Sequence, residues 1–223
     1  MIALRCSRLH CFRPDWTDRS ACVHDVSLSF EEGRLHGITG PPGSGKTLLL
    51  HLLGLLDEPD FGEIDLFGER VSPAPEEVRR EIRNTVFGYV FPSPCLLPAF
   101  TVAENVAMPL FRISGADEST AHERVSELLD LVGIEHLANA PAASLGPDAQ
   151  FLVALARAIV HRPRLLLLLT PGRPATLAPH VRAIADMLHI TCLWSGEGDW
   201  LSVCDRTVKL DCGSLAPQSP AMP

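Results

Sequence analysis

The sequence predicts an α/β fold built around a buried parallel sheet, and its 223 residues are enough for one domain. A short apolar run at 35–38 leads into a glycine-rich loop, and a leucine-rich run typical of a helix follows at 47–54. A second run, 164–169, consists of leucine from 165 onwards, lies between Pro163 and Pro171, and has the length of a strand buried on both faces. Strand, loop, helix and a later buried strand are the pattern of an α/β nucleotide-binding sheet.

The glycine-rich loop fits the pattern Gly-x-x-x-x-Gly-Lys-[Ser/Thr] of a phosphate-binding loop. Its glycines let the backbone curl until several N–H groups face one concavity, and the following helix directs its positive end there. The lysine brings a charge to the β- and γ-phosphates, and the threonine hydroxyl can coordinate Mg²⁺. The predicted nucleotide site is therefore Gly40, Pro41, Pro42, Gly43, Ser44, Gly45, Lys46 and Thr47, with Thr47 on the metal. The alternative is a tight turn whose site is empty or vestigial.

The remaining elements follow from periodicity and from turn residues. We expect two strands within 22–38, strands at 63–67 and 86–91, a loop at 92–98, and helices at 76–84, 101–110, 118–132 and 151–160. The middle of the chain, about 93–150, reads as a helical insertion. These expectations give a single domain at 1–216 and a flexible tail at 217–223.

Charge and hydropathy exclude several classes of protein. The net charge of −8 argues against a general nucleic-acid binder, which needs a basic surface. Purely apolar stretches such as 165–169 are too short for a bilayer span or a signal peptide, so we expect a cytoplasmic protein. The seven cysteines contain no C-x-x-C pair and read as reduced thiols. Cys6, His10 and Cys11 are close enough in sequence to raise a metal site, but no fourth ligand is evident.

Six stretches, in order, resemble the ATP-binding subunits of ABC transporters, particularly the lipoprotein-releasing and macrolide-exporter type. They are residues 23–30, 45–54, 96–110, 154–159, 162–165 and 205–215, and together they extend over nearly the whole chain. The resemblance implies a P-loop NTPase core with a mixed sheet, an N-terminal antiparallel β part and a helical insertion subdomain. It also implies ATP and Mg²⁺ as ligands. The implied partners are a transmembrane permease and a second nucleotide-binding subunit, on the inner face of the cytoplasmic membrane.

The catalytic positions of that family carry other residues here. Leu169 stands at the aspartate of the Walker B strand, and Thr170 stands at the catalytic glutamate. Neither leucine nor threonine can replace a metal-binding carboxylate or a general base near neutral pH. Three further positions also differ: the Q-loop glutamine, the switch histidine and the D-loop aspartate are replaced by Pro92, by 195–197 and by Thr176. We therefore expect ATP binding with weak or no hydrolysis and assign no catalytic residue.

The signature loop of the family, which contacts ATP on a partner subunit, corresponds to residues 144–150. Pro147 lacks an N–H donor, and Asp148 places a negative charge where a phosphate would approach. Asp148 is nevertheless a suitable N-cap for the helix that follows.

Two further assignments leave alternatives open. Phe12, with Trp16 behind it, is the candidate for stacking on adenine, or else both are packing residues. Residues 96–110 correspond to the region that receives a permease helix. The alternative is that this region is helical core, formed by Leu96, Leu97, Phe100, Val102 and Val106.

Three function classes remain. The first is a transporter ATP-binding subunit, the second is a non-enzymatic regulatory or assembly module on the same scaffold, and the third is a small-molecule P-loop kinase. A kinase would need a basic lid and an acceptor-activating carboxylate, and the sequence shows no such lid.

Overall fold

The computed structural model describes residues 1–13, 22–169 and 175–217. The strands in this part of the chain are β1 (Ile2–Phe12), β2 (Cys22–Glu31), β3 (Leu35–Thr39), β4 (Phe61–Leu66), β5 (Glu69–Ser72), β6 (Phe87–Val90), β7 (Leu165–Leu168), β8 (Thr191–Ser195), β9 (Arg206–Asp211) and β10 (Ser214–Leu215). The α-helices are α1 (Lys46–Leu53), α2 (Glu76–Val86), α3 (Val102–Pro109), α4 (Glu118–Leu131), α5 (Pro147–Ile159) and α6 (Ala178–Leu188). Short helical turns cover Leu110–Ser114, Glu135–Leu137, Ala142–Ser144, Ala175–Leu177 and Asp199–Val203.

The central sheet has the strand order β10-β9-β3-β8-β7-β6. Its strands pair in parallel except for β10, which is antiparallel to β9, so the sheet is mixed. Successive side chains of a strand point to opposite faces, and β7 shows this directly. Leu165 and Leu167 join the core on one face, whereas Leu166 and Leu168 join the core on the other. This double burial explains why β7 is purely apolar in sequence.

A second, antiparallel sheet with the order β2-β1-β4-β5 lies at the N-terminal end of the chain. Its apolar face and one face of the central sheet share a core with α1, whose five leucines are at most 1% exposed. The other face of the central sheet packs with α3, α4, α5 and α6. The α/β fold class with a mixed sheet and an N-terminal antiparallel part is thus confirmed.

Most of the predicted elements are present within a few residues of their expected bounds, but β1, β5 and α6 were not predicted. β1 carries a readable signal, since Leu4, Cys6, Leu9 and Cys11 are buried among polar residues, although irregular register with its neighbours breaks the alternation. β5 is only four residues long, and α6 carries Pro179 in its first turn, a residue that usually marks a turn in sequence. The domain limits 1–216 and 93–150 and the tail at 217–223 remain predictions. Within the described ranges, no helix has the length and apolar character that a bilayer span requires.

Candidate nucleotide-binding site

The predicted phosphate loop connects β3 to α1, and its conformation depends on glycine at two close approaches. Gly40 has φ of 145°, and a Cβ there would lie 2.2 Å from the carbonyl oxygen of Leu210. Gly45 has φ of 90°, and a Cβ there would lie 2.3 Å from the carbonyl oxygen of Cys22. A side chain at either position would collide with backbone, so the loop conformation requires the glycines that the motif supplies.

Lys46 begins α1 and folds its side chain back over the loop, so that the side chain is only 12% exposed. Its Nζ donates to the carbonyl oxygen of Pro41 at 2.9 Å and to that of Gly40. The hydroxyl of Ser44 lies 3.5 Å from the same nitrogen. A carboxylate oxygen of Glu197 is 3.3 Å away and forms an ion pair with Lys46. The ammonium is therefore held by oxygen atoms of the protein at the place where the motif predicts phosphate oxygens.

The residues expected to bind Mg²⁺ fit that ion only in part. Thr47 is exposed in the first turn of α1, where its hydroxyl can serve as a ligand. Leu169, directly after β7, is 1% exposed and packs in the core that also contains α1. It has no side-chain oxygen to offer, and its backbone N–H donates to Val90 at 2.8 Å. Thr170 lies outside the described residues.

The segment that corresponds to the signature loop begins α5. Gly146 is the N-cap of this helix, Pro147 is its first residue, and Asp148 lies in its first turn. The expectation that Asp148 caps the helix was wrong. A proline is favoured at the first helical position because its φ is already helical and its missing N–H needs no partner there. Asp148 instead places its charge near the positive end of the helix.

The remaining positions that the resemblance singles out lie in loops or turns or at the end of β8. Pro92 is exposed after β6, and Thr176 is exposed in the short turn before α6. Gly196 and Glu197 follow β8 directly, with Gly196 buried and Glu197 exposed. Sequence reasoning did not identify Glu197 as a partner of Lys46. Only the pairing of β8 with β3 brings these two residues together, and the two are 151 positions apart.

Phe12, the candidate for adenine stacking, ends β1 and is 62% exposed. It is opposite Cys22 in the strand register, and the Cys22 carbonyl abuts Gly45 of the phosphate loop. A cleft of about 390 Å³ opens beside it, lined also by His10, His24 and Phe61. Phe12 is thus an exposed aromatic residue whose strand partner, Cys22, contacts the phosphate loop. Trp16 lies outside the described residues.

Cys6, His10 and Cys11 do not come together as a metal site. Cys6 and Cys11 are buried on the core side of β1, and burial raises the pKa of Cys6 to about 12 and that of Cys11 to about 11. His10 is on the other side of the strand, 3.8 Å from Asp25. No cluster of three histidine, cysteine or acidic side chains suited to a metal occurs in the described ranges.

The region at 96–110 divides between core and surface. Val102 and Val106 are fully buried, so the core interpretation holds for them. It was wrong for Leu97 and Phe100, each 39% exposed, because the loop before α3 turns both side chains outward. Met108 and Phe111 are 44% and 51% exposed nearby in sequence. We call Leu97, Phe100, Met108 and Phe111 the apolar surface.

Comparison with known proteins places this geometry in a family. The family model described as "ABC transporter" matches residues 23–170. Over 207 residues the chain is 42% identical to the lipoprotein-releasing system ATP-binding protein LolD 2 of Caulobacter vibrioides, with 88% of this chain and 89% of that protein covered.

Solved structures show the same fold. The ATP-binding cassette MJ0796 in a dimeric post-hydrolysis state with ADP and Pi superposes with a TM-score of 0.82 at 24% identity, covering 96% of this chain and 97% of that one. CbiO1 of Clostridium perfringens, part of the ABC transporter complex cbiONQ, superposes with a TM-score of 0.84 at 22% identity, covering 97% and 87% of the two chains. Since the family model spans more than half of the sequence and the similarity to LolD 2 extends over most of it, the protein belongs to the ABC transporter family, as an ATP-binding cassette.

Proposed function

We propose that the protein is the ATP-binding subunit of a transporter of the lipoprotein-release or macrolide-export type, which binds ATP with weak or no hydrolysis of its own. The observation that carries this proposal is the phosphate loop, which is fully formed, while the position of the metal-binding carboxylate holds the buried side chain of Leu169. The similarity to LolD 2 supports the transporter type.

ATP binding by this loop requires Lys46 to exchange its present oxygen partners for phosphate oxygens. The backbone N–H groups of the loop and the positive end of α1 then face the same anion. Phe12 is the proposed contact for adenine, since it is exposed and its strand neighbour abuts the loop. Mg²⁺ would be held by Thr47 together with the nucleotide's own phosphates, and it would supply charge neutralisation.

Weak hydrolysis follows from the side chains at the catalytic positions. A water molecule attacking the γ-phosphate needs a group that orients it and accepts its proton. Pro92 offers no side-chain acceptor, and Leu169 offers no oxygen to the metal hydration shell. The first turn of α5 would bring Asp148, a negative charge, towards ATP on a second nucleotide-binding subunit. A homodimer should therefore turn over ATP poorly, and a heterodimer would depend on its partner.

We further propose that the protein docks on a membrane permease at the cytoplasmic face through the apolar surface. The loop that carries Leu97 and Phe100 is held by Asn105, whose buried side-chain amide forms hydrogen bonds with the backbone of Leu97. A rigid loop that presents apolar side chains outward is suited to a partner surface of similar chemistry.

A non-enzymatic module on the same scaffold is the second candidate, and one observation favours it. The Glu197 carboxylate pairs with Lys46 at 3.3 Å, so a negative side chain competes with phosphate for the ammonium that the motif provides. In that case ATP would be structural or absent.

Calorimetric titration with ATP and Mg²⁺ separates the two candidates. We expect saturable binding that Lys46→Ala weakens by at least about a hundredfold, since it removes a charge-assisted contact worth about 3 kcal/mol. Lys209→Ala is the matched control, because Lys209 is exposed on β9, outside the loop. Phosphate release by the purified protein should stay near background. Absence of ATP binding would favour the module, and rapid turnover lost in Lys46→Ala would contradict the proposed weak hydrolysis.

A further inference from the structure

The loops that follow β3 and β8 meet at the carboxyl edge of the central sheet. The two strands pair in parallel with Ile38 opposite Ser195, so the phosphate loop and the segment Gly196–Glu197 begin side by side. The N–H of Gly196 donates to the carbonyl oxygen of Ile38 at 3.1 Å, which extends the strand pairing by one residue. The pairing of β3 with β8 therefore positions Glu197 beside the phosphate loop.

The backbone of Glu197 is held in this position from a second side. The indole N–H of Trp200 donates to the Glu197 carbonyl oxygen at 3.1 Å. Trp200 is 2% exposed and stacks on Trp194, with ring centroids 4.4 Å apart. Gly196 packs against the same indole, since a Cβ there would lie 3.1 Å from the ring. The turn is thus anchored in the core, while the Glu197 carboxylate remains 54% exposed and free to meet a ligand.

The carboxylate occupies a place that a phosphate oxygen would take. It lies 3.3 Å from the Nζ of Lys46, and Lys46 is the residue that the motif directs to the β- and γ-phosphates. A bound nucleotide must therefore share the ammonium with Glu197 or displace it. Compared with a diphosphate, a triphosphate brings one more phosphate group and more negative charge close to Lys46 and Glu197. Electrostatic repulsion by Glu197 therefore acts mainly on the γ-phosphate.

We propose that Glu197 is a specificity-determining residue that lowers the affinity of the site for nucleoside triphosphates relative to nucleoside diphosphates. This inference rests on the proposed nucleotide binding and extends it. Glu197 pairs with the ammonium that would bind the γ-phosphate, and the diphosphate is left as the better-tolerated ligand. The protein would then retain bound ADP more readily than a cassette without this carboxylate.

Calorimetric titration of the full chain with ADP and, separately, with ATP tests the inference, both in the presence of Mg²⁺. Glu197→Gln keeps the shape of the side chain and removes its charge. We expect ATP affinity to rise about tenfold, the effect of removing one unit charge a few ångströms from the γ-phosphate at a partly exposed site, while ADP affinity changes by less than about threefold. The imido analogue of ATP should behave as ATP does, which excludes a contribution from hydrolysis.

Asp199→Asn is the matched control, because Asp199 is an exposed carboxylate two residues further along the same segment. It should leave the ratio of the ATP and ADP affinities unchanged. An unchanged ratio in Glu197→Gln, or an equal gain for both nucleotides, would overturn the inference and leave the proposed function intact. If neither nucleotide binds to either protein, the proposed function fails as well. Circular dichroism spectra that match the parent protein confirm that each variant folds.

Discussion

Asn105 shows how a single buried polar residue shapes the exposed apolar surface. Its side chain is 0% exposed, and Oδ1 accepts a hydrogen bond from the N–H of Leu97 at 2.8 Å. Nδ2 donates to the carbonyl oxygens of Leu97 at 3.1 Å and Thr101 at 2.9 Å. The amide thus replaces regular secondary structure as the partner of the loop backbone.

Replacing Asn105 by alanine should lower the free energy of unfolding by about 2–4 kcal/mol, because buried backbone groups of the loop lose their partners. Urea denaturation followed by circular dichroism measures this change. Asn139→Ala is the control, since Asn139 is exposed and should change stability by less than about 0.5 kcal/mol. Equal stability of the Asn105 and Asn139 variants would contradict the role assigned to the buried amide.

Single residues also mark the limit of sequence reasoning at the site. The phosphate loop was predicted residue by residue, because its chemistry is contained in eight consecutive positions. The Lys46–Glu197 contact was not, since it joins two loops that no local pattern connects. Asp148 was misassigned as a cap because a proline one position earlier already begins the helix.

At the level of elements, α3 and the loop before it are joined by hydrogen bonds of two kinds. Thr101 and Glu104 make a capping box that fixes the start of the helix. Asn105 ties the loop to the helix, and Val102 and Val106 anchor the helix in the core. The exposed side chains of Leu97 and Phe100 are consequently presented in a defined arrangement.

If the proposed docking holds, substituting serine at both Leu97 and Phe100 should reduce binding to membranes that contain the proposed permease at least about tenfold, since two apolar contacts of about 1 kcal/mol each are lost. Cosedimentation with permease-containing vesicles measures this binding. Met187→Ser is the control, because Met187 is 64% exposed on α6, outside the apolar surface. Unchanged cosedimentation of the double variant, with ATP binding retained, would remove this surface as the docking site.

Element prediction succeeded where one periodicity extended over a whole segment. The all-apolar β7 was identified because both of its faces are buried, and α1 because its five leucines form one buried face. β1 was not predicted, because its register shifts at three places against β2 and its buried residues therefore do not alternate strictly with exposed ones. Sequence alone left open whether Leu97 and Phe100 are core or surface, because apolar residues in a helical region usually lie inside.

On the scale of the whole molecule, Asp205 connects three parts of the fold. Its carboxylate accepts a hydrogen bond from the N–H of Leu35 at the start of β3, at 2.8 Å. It also pairs with Arg182 of α6 at 3.1 Å and with Arg34 at 3.4 Å. Burial acts to raise the pKa of Asp205, but the Leu35 hydrogen bond and the charge of Arg182 outweigh it and leave the pKa below its ordinary value.

A depressed pKa in the folded state means that ionised Asp205 stabilises the fold at neutral pH. This contribution is present above the carboxyl pKa of the unfolded chain, about 4, and is lost as the pH falls through the lower pKa of the folded state. Asp205→Asn should therefore destabilise the protein by about 1.5 kcal/mol at pH 7, and the difference from the parent protein should shrink as the pH drops below about 4.

Urea denaturation of both proteins across that pH range measures the difference. Glu135→Gln serves as the control, because Glu135 is exposed in a short turn and should show no such trend. A difference between Asp205→Asn and the parent protein that stays constant down to the lowest pH at which both fold would refute the assignment.

The sequence by itself determined the α/β class, the phosphate loop and the family resemblance, because each depends on residues that are neighbours along the chain. The proposed weak hydrolysis also rests on the sequence, through the residues at Pro92 and Leu169. The tertiary structure alone decided what surrounds Lys46. Parallel pairing of β3 with β8 sets the Glu197 carboxylate against the ammonium, and strand order is fixed by packing of the whole core rather than by any local pattern.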